Sequence, residues 1–197
     1  LPWTADPSRD EAWYTRTLGA LGEDMTLQEY PATVEEALMV PGGQFFPEVR
    51  KETHVRKDDG FFDGPVRRYI CIDYGLDMFS AHWIAINEAG KARVYREYDS
   101  PNKTISAACD IAKDLSGEEE IEAVLAPSDL WSREQLTGRS RAAVFEENGL
   151  RLTQTSRDFP AGCANMKEWL RVEEGVNGPG EAYLTIEEGK APNLYRC

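Results

Sequence analysis

Apolar and polar positions along this chain fall into short runs whose periods predict its elements. Residues 69–74 are an almost continuous apolar run, the pattern of a strand covered on both faces. Residues 79–86 and 91–98 flank Asn87-Glu88-Ala89-Gly90, which predicts a hairpin with Gly90 supplying positive φ. Ile105, Ala108, Cys109 and Ala112 recur at i, i+3, i+4, i+7 and so share one helix face. A strand over 121–126 follows, then a helix over 139–147 stopped by Asn148-Gly149, and a short strand over 150–153. The next helix starts at Pro160 and carries Cys163, Met166 and Leu170 on one face. A Gly-rich loop over 174–180 leads to a last strand at 183–186. Antiparallel hairpin strands followed by crossover helices imply a mixed α/β sheet, five-stranded by this reading, with helices on both faces.

Residues 1–64 have a different texture. Pro7-Ser8-Arg9-Asp10 opens a helix over 11–21, closed by Gly22. Thr33-Val34-Glu35-Glu36 fits a capping box, and Pro41-Gly42-Gly43 breaks the chain. Turn signals at Asp59-Gly60 and Asp63-Gly64-Pro65 end the segment. Too little apolar periodicity remains here for a separate core, so the segment reads as a tail, with Trp3 and Trp13 packing it down. The domain proper is expected over 65–197.

Composition narrows the function. The chain has 197 residues and a formal charge of −13, which argues against indiscriminate nucleic-acid binding. Basic residues nevertheless collect at Arg50, Lys51, Arg56, Lys57, Arg67 and Arg68, and again at Arg133, Arg139 and Arg141. No window approaches the run of roughly 18 apolar residues that a membrane span needs, and the N-terminus lacks signal-peptide character. The cysteines are scattered without a CxxC pair, which reads as reduced packing thiols.

Two apolar strands end in acids: Tyr69-Ile70-Cys71-Ile72-Asp73 and Val124-Leu125-Ala126-Pro127-Ser128-Asp129. A carboxylate at the end of a core strand is poorly solvated and needs a reason to be there. At an effective dielectric near 20, two carboxylates about 4 Å apart repel by roughly 4 kcal/mol, and a divalent ion reverses that penalty. Asp73 and Asp129 are therefore candidate ligands for Mg²⁺ or Mn²⁺.

The element order and several strings carry a resemblance. Ile72-Asp73-Tyr74-Gly75, Val94-Tyr95-Arg96-Glu97-Tyr98, Ala126-Pro127-Ser128-Asp129-Leu130-Trp131, Gly138-Arg139-Ser140 and Gly162-Cys163-Ala164-Asn165-Met166-Lys167 resemble the nuclease half of bacteriophage large terminase subunits, within the ribonuclease H-like superfamily. Upstream, Gln28-Glu29-Tyr30-Pro31-Ala32-Thr33-Val34-Glu35-Glu36-Ala37 resembles the end of the motor domain and its linker. The resemblance implies a metal-dependent endonuclease that cuts concatemeric double-stranded DNA during packaging in the host cytoplasm. It implies a two-metal site with Asp73 and Asp129 as catalytic ligands and Asp77 in an outer or second-metal role. Arg133, Arg139 and Arg141 become DNA contacts, and the motor domain, small terminase subunit and portal become partners. No GxxxxGK[ST] occurs, so no ATP site is expected in this chain. The family also places a third carboxylate in a late His-rich stretch, and the chain ends at Asn193-Leu194-Tyr195-Arg196-Cys197 without it. A nuclease domain truncated at its C-terminus is therefore expected, with an incomplete ligand set.

Blander roles compete at each position. Asp73 and Asp129 each fit a turn cap, and Asp158 fits a helix cap. Glu168 reads as a solvated helix residue, His82 as structural, and Arg139 and Arg141 as partners of Glu146 and Glu147. A catalytically silent DNA- or portal-docking fragment is one rival function. Another ribonuclease H-like nuclease, such as a junction resolvase or transposase core, is a second.

Overall fold

A computed structural model describes residues 3–22, 26–27, 29–33, 46, 48–57, 59–75, 77–135, 137–156, 158–173 and 180–196. The expected capping-box turn at 33–36 lies largely outside the described residues. The chain divides into two compact units, Leu1–Pro47 and Glu48–Cys197.

In the first unit, helix α1 (Glu11–Leu21) starts where expected because the Asp10 carboxylate accepts from the Trp13 amide at 2.6 Å. Trp3 stacks on Tyr14 with ring centroids 4.8 Å apart, and Trp13 meets Tyr30 edge-on at 5.0 Å. The Arg9 guanidinium lies over both Trp13 and Tyr30. The two tryptophans thus pack inside this unit.

The second unit begins with α2 (Lys51–His54) and β1 (Val55–Arg56). Then come β2 (Val66–Tyr74), β3 (Phe79–Asn87), β4 (Ala92–Ser100), α3 (Ile105–Ser116) and β5 (Ile121–Ala126). A 3₁₀ turn (Ser128–Trp131), α4 (Arg141–Glu147), β6 (Leu152–Gln154) and α5 (Phe159–Leu170) follow. The chain continues through β7 (Val172–Glu173), β8 (Glu181–Ala182), β9 (Leu184–Glu187) and α6 (Pro192–Arg196). Seven strands form one mixed sheet in the order β1-β9-β4-β3-β2-β5-β6, and β7 and β8 pair separately.

The five central strands, β4-β3-β2-β5-β6, form a mixed sheet of the kind expected. β2, β3 and β4 run antiparallel to one another, and β5 and β6 add in parallel on the far side of β2. The sheet is larger than the expected five strands because β9 and β1 extend the β4 edge, with Val94 opposite Ile186 and Val55 opposite Ile186 on its other side. The turn signals near Gly60 and Asp63 thus lie within the second unit. That segment is also held by the buried Arg93, which makes a bidentate pair with Asp59 at 2.7 and 2.8 Å. His54, equally buried, donates from Nε2 to the Leu170 carbonyl at 2.8 Å.

Residues of β3 alternate cleanly, with Phe79, Ala81, Trp83 and Ala85 buried. Ile70 and Ile72 of β2 share that face with them, and Ala108, Cys109 and Ala112 of α3 and Phe145 of α4 cover it. Each large apolar side chain buried there contributes about 1.5–3 kcal/mol. β2 therefore alternates too, rather than burying both faces as its composition suggested. Its other side, with Tyr69 and Cys71, faces Met166 and Trp169 of α5 across a groove of about 350 Å³. Helix α4 starts at Arg141, two residues later than expected, because Ser140 caps it by accepting from the Ala143 amide at 3.2 Å. Asp158 likewise caps α5.

Candidate metal centre

The two candidate acids lie where β2 and β5 end side by side. The parallel register pairs Cys71 with Leu125, so Asp73 and Pro127 each lie two residues beyond that pair. Ile72 is buried on the helix α3 side, and strand alternation turns Asp73 to the opposite face, where it is exposed. The turn to β3 is closed by the Gly75 amide donating to the Met78 carbonyl at 2.9 Å, and it displays Asp77 to solvent. Beyond Pro127, the 3₁₀ turn carrying Asp129 is pinned by the fully buried Leu130.

Arg141 ties the two strand ends together. Its Nη2 donates to Asp129 Oδ2 at 3.1 Å and its Nη1 to the Tyr74 carbonyl at 3.2 Å. Arg141 thus pairs with Asp129 rather than with Glu146 or Glu147, the partners weighed for the two arginines against DNA contact. Arg139 does pair with Glu147, and Arg133 is exposed in the loop between the 3₁₀ turn and α4. Tyr74 donates to the Lys103 carbonyl at 2.7 Å. Burial pushes its phenol up, although the Arg141 charge pulls the other way, so it stays protonated at neutral pH.

Three other residues on the Asp73 face come together more tightly. His82, Glu97 and Asp99 bring ligand-type atoms within 4.8 Å of one another, the one such group of three among the described residues. Asp73, Asp77 and Asp129 do not form a group of that kind. The sheet register runs Asp73–Ser80–Asp99 and, one pair further, Cys71–His82–Glu97. A bulge between Trp83 and Ile84 makes this possible. An unbroken hairpin would set Arg96 opposite His82 and turn Glu97 and Asp99 to the other face. Sequence reading missed both acids for that reason, although their i, i+2 spacing on a strand paired with a histidine-bearing one is a usable signal.

A larger cavity of about 420 Å³ opens near the β4–β9 edge, lined by Arg56, Asp59, Lys91, Arg93 and Thr185 among others. None of Asp73, Asp77 and Asp129 lines it. No described helix is long and apolar enough to cross a membrane.

Comparison with known proteins gives structural likenesses only. No family model matches the sequence, and no curated protein gives a significant match. The nuclease domain of the large terminase g2p from bacteriophage SPP1, solved with bound Mn, is similar with a TM-score of 0.46 and 14% identity, over 73% of this chain and 76% of that one. The large terminase nuclease from thermophilic phage G20c is similar with a TM-score of 0.37 and 13% identity, over 73% and 83%. A Ppx/GppA family member from Aquifex aeolicus gives a TM-score of 0.32 and 18% identity, over 48% and 36%.

Proposed function

We propose that this chain is the nuclease domain of a phage large terminase, a metal-dependent endonuclease that cleaves concatemeric double-stranded DNA. The observation that carries the reading is the position of Asp73, next to last in β2, and of Asp129, in the turn just past the neighbouring parallel strand β5, within strings that resemble that family. The donor chemistry fits the implied ions. Both groups are hard carboxylates at least partly open to solvent, the class of ligand that Mg²⁺ and Mn²⁺ favour. Asp73 has no ion pair among the described residues, and Asp129 has one, with Arg141. Asp73 and Asp129 would hold the ions, with Asp77 close by in sequence as an outer ligand. Two bound divalent ions supply an activated water and charge stabilisation at the leaving oxygen.

The chain's own residues do the rest. Arg141 covers the Asp129 carboxylate that an ion would take over, and the exposed Arg133 and Arg139 offer guanidinium groups to backbone phosphates. A terminase motor domain, small subunit and portal are the partners this reading assigns, and the host cytoplasm is its compartment. A second reading, a silent DNA- or portal-docking fragment, is favoured by the Arg141–Asp129 pair, which neutralises one of the two acids. Cleavage assays with Mn²⁺ on linear duplex and on four-way junctions separate the alternatives. Duplex cleavage with little sequence choice supports a terminase nuclease, junction preference points to a resolvase, and binding without cleavage favours the docking module.

A further inference from the structure

We propose that His82, Glu97 and Asp99 form a divalent-cation site of their own, for a first-row transition ion such as Mn²⁺ or Zn²⁺. The proposal does not depend on the nuclease reading. His82 Nε2 is shut off from solvent and has no hydrogen-bond partner among the described residues. A buried ring nitrogen without a partner is costly, so it calls for one. Its neighbour Glu97 Oε2 lies 3.8 Å away, beyond hydrogen-bond range. That separation suits two ligands sharing one ion at metal–ligand distances of about 2.0–2.2 Å.

The carboxylates are already oriented by the surrounding structure. Glu97 accepts from the amides of Asn193 and Leu194 at 2.7 and 2.9 Å, where α6 begins. Asp99 accepts from Ser80 Oγ, and from Asn193 Nδ2 at 3.1 Å. Supporting donors of this kind fix the direction of ligand oxygens and are part of a metal site's affinity. The Glu97 side chain is 6% exposed, and no Lys or Arg pairs with it among the described residues. Two carboxyl groups facing one imidazole make an arrangement that a divalent ion bridges and neutralises. One imidazole nitrogen with two carboxylate oxygens favours Mn²⁺ or Zn²⁺ over Mg²⁺ or Ca²⁺, which prefer all-oxygen shells.

The test uses the full chain stripped of metal and titrated with Mn²⁺ by electron paramagnetic resonance and with Zn²⁺ by calorimetry. In an Asp73→Asn/Asp129→Asn double variant, one site persists, and its bound Mn²⁺ shows coupling to an imidazole nitrogen. Adding His82→Gln removes that coupling, and adding Glu97→Gln, which keeps an acceptor for the α6 amides, weakens binding at least about tenfold. The parent spectrum decides the case even where His82→Gln disturbs folding. A double variant that binds neither ion, or bound Mn²⁺ with oxygen ligands alone, overturns the proposal.

Discussion

Arg141 and Asp129 form a charge-assisted contact at 3.1 Å, and the same guanidinium holds the Tyr74 carbonyl at 3.2 Å. One side chain thus locks the ends of β2 and β5 while covering an acid assigned to metal binding. A partly exposed pair of this kind is worth up to about 1 kcal/mol, or roughly fivefold in an equilibrium. Arg141→Ala should therefore tighten Mn²⁺ binding at Asp129 by up to about fivefold, read by calorimetry against the parent. Unchanged or weaker binding would mean that Arg141 positions Asp129 for the ion rather than competing with it.

Trp83 sits at the centre of the core and donates from Nε1 to Ser116 Oγ at 2.9 Å. Ser116 in turn donates to the Ala112 carbonyl at 2.7 Å. Ser116→Ala strands the buried indole N–H and should cost about 1–3 kcal/mol in urea unfolding, with the m-value unchanged.

The segment before β2 should be integral to the sheet. Asp59→Ala leaves the buried Arg93 guanidinium without its bidentate partner. Because Asp59 itself is 46% exposed at its side chain, the cost should fall below that of a fully buried pair, at about 1–3 kcal/mol. A chain begun at Glu48 should unfold cooperatively, and one begun at Pro65 should be markedly less stable. Equal stability of the two would return the boundary to the turn signals near Pro65.

Acid should weaken a second link. Glu119 joins Arg96 at 2.9 and 3.0 Å and accepts from Tyr95 at 2.9 Å. Burial pushes its carboxyl up, but the Arg96 and Tyr95 hydrogen bonds outweigh that and hold it below the ordinary glutamate value. A depressed carboxylate stabilises the fold above its unfolded pKa of about 4.3, and that stability is lost as pH falls through the lower folded value. Glu119→Gln should therefore narrow its stability gap to the parent between pH 5 and pH 3, measured by thermal melts; a constant gap would contradict the assignment.

Much of the fold was legible because local signals agreed with it. Strand 121–126 was read to the residue between its flanking turn signals, and the helix at Ile105 follows a Thr104 cap whose Oγ1 accepts from the Ala107 amide. The parallel pairing of Val55 with Ile186 was not legible, since two-residue strands so distant in sequence carry no pattern of their own. Asp73 and Asp129 stood out as acids ending apolar runs. Glu97 and Asp99 did not, because the bulge at Trp83 and Ile84 decides their face and nothing in the alternation announces it.

The most direct test of the nuclease assignment is cleavage of supercoiled plasmid in Mn²⁺, then Mg²⁺, by the parent chain and by Asp73→Asn and Asp129→Asn. Metal-dependent nicking and linearisation by the parent, lowered at least about a hundredfold by either substitution, is the predicted result. Cleavage that survives both substitutions, or a parent that binds duplex but never cuts it, would contradict the assignment.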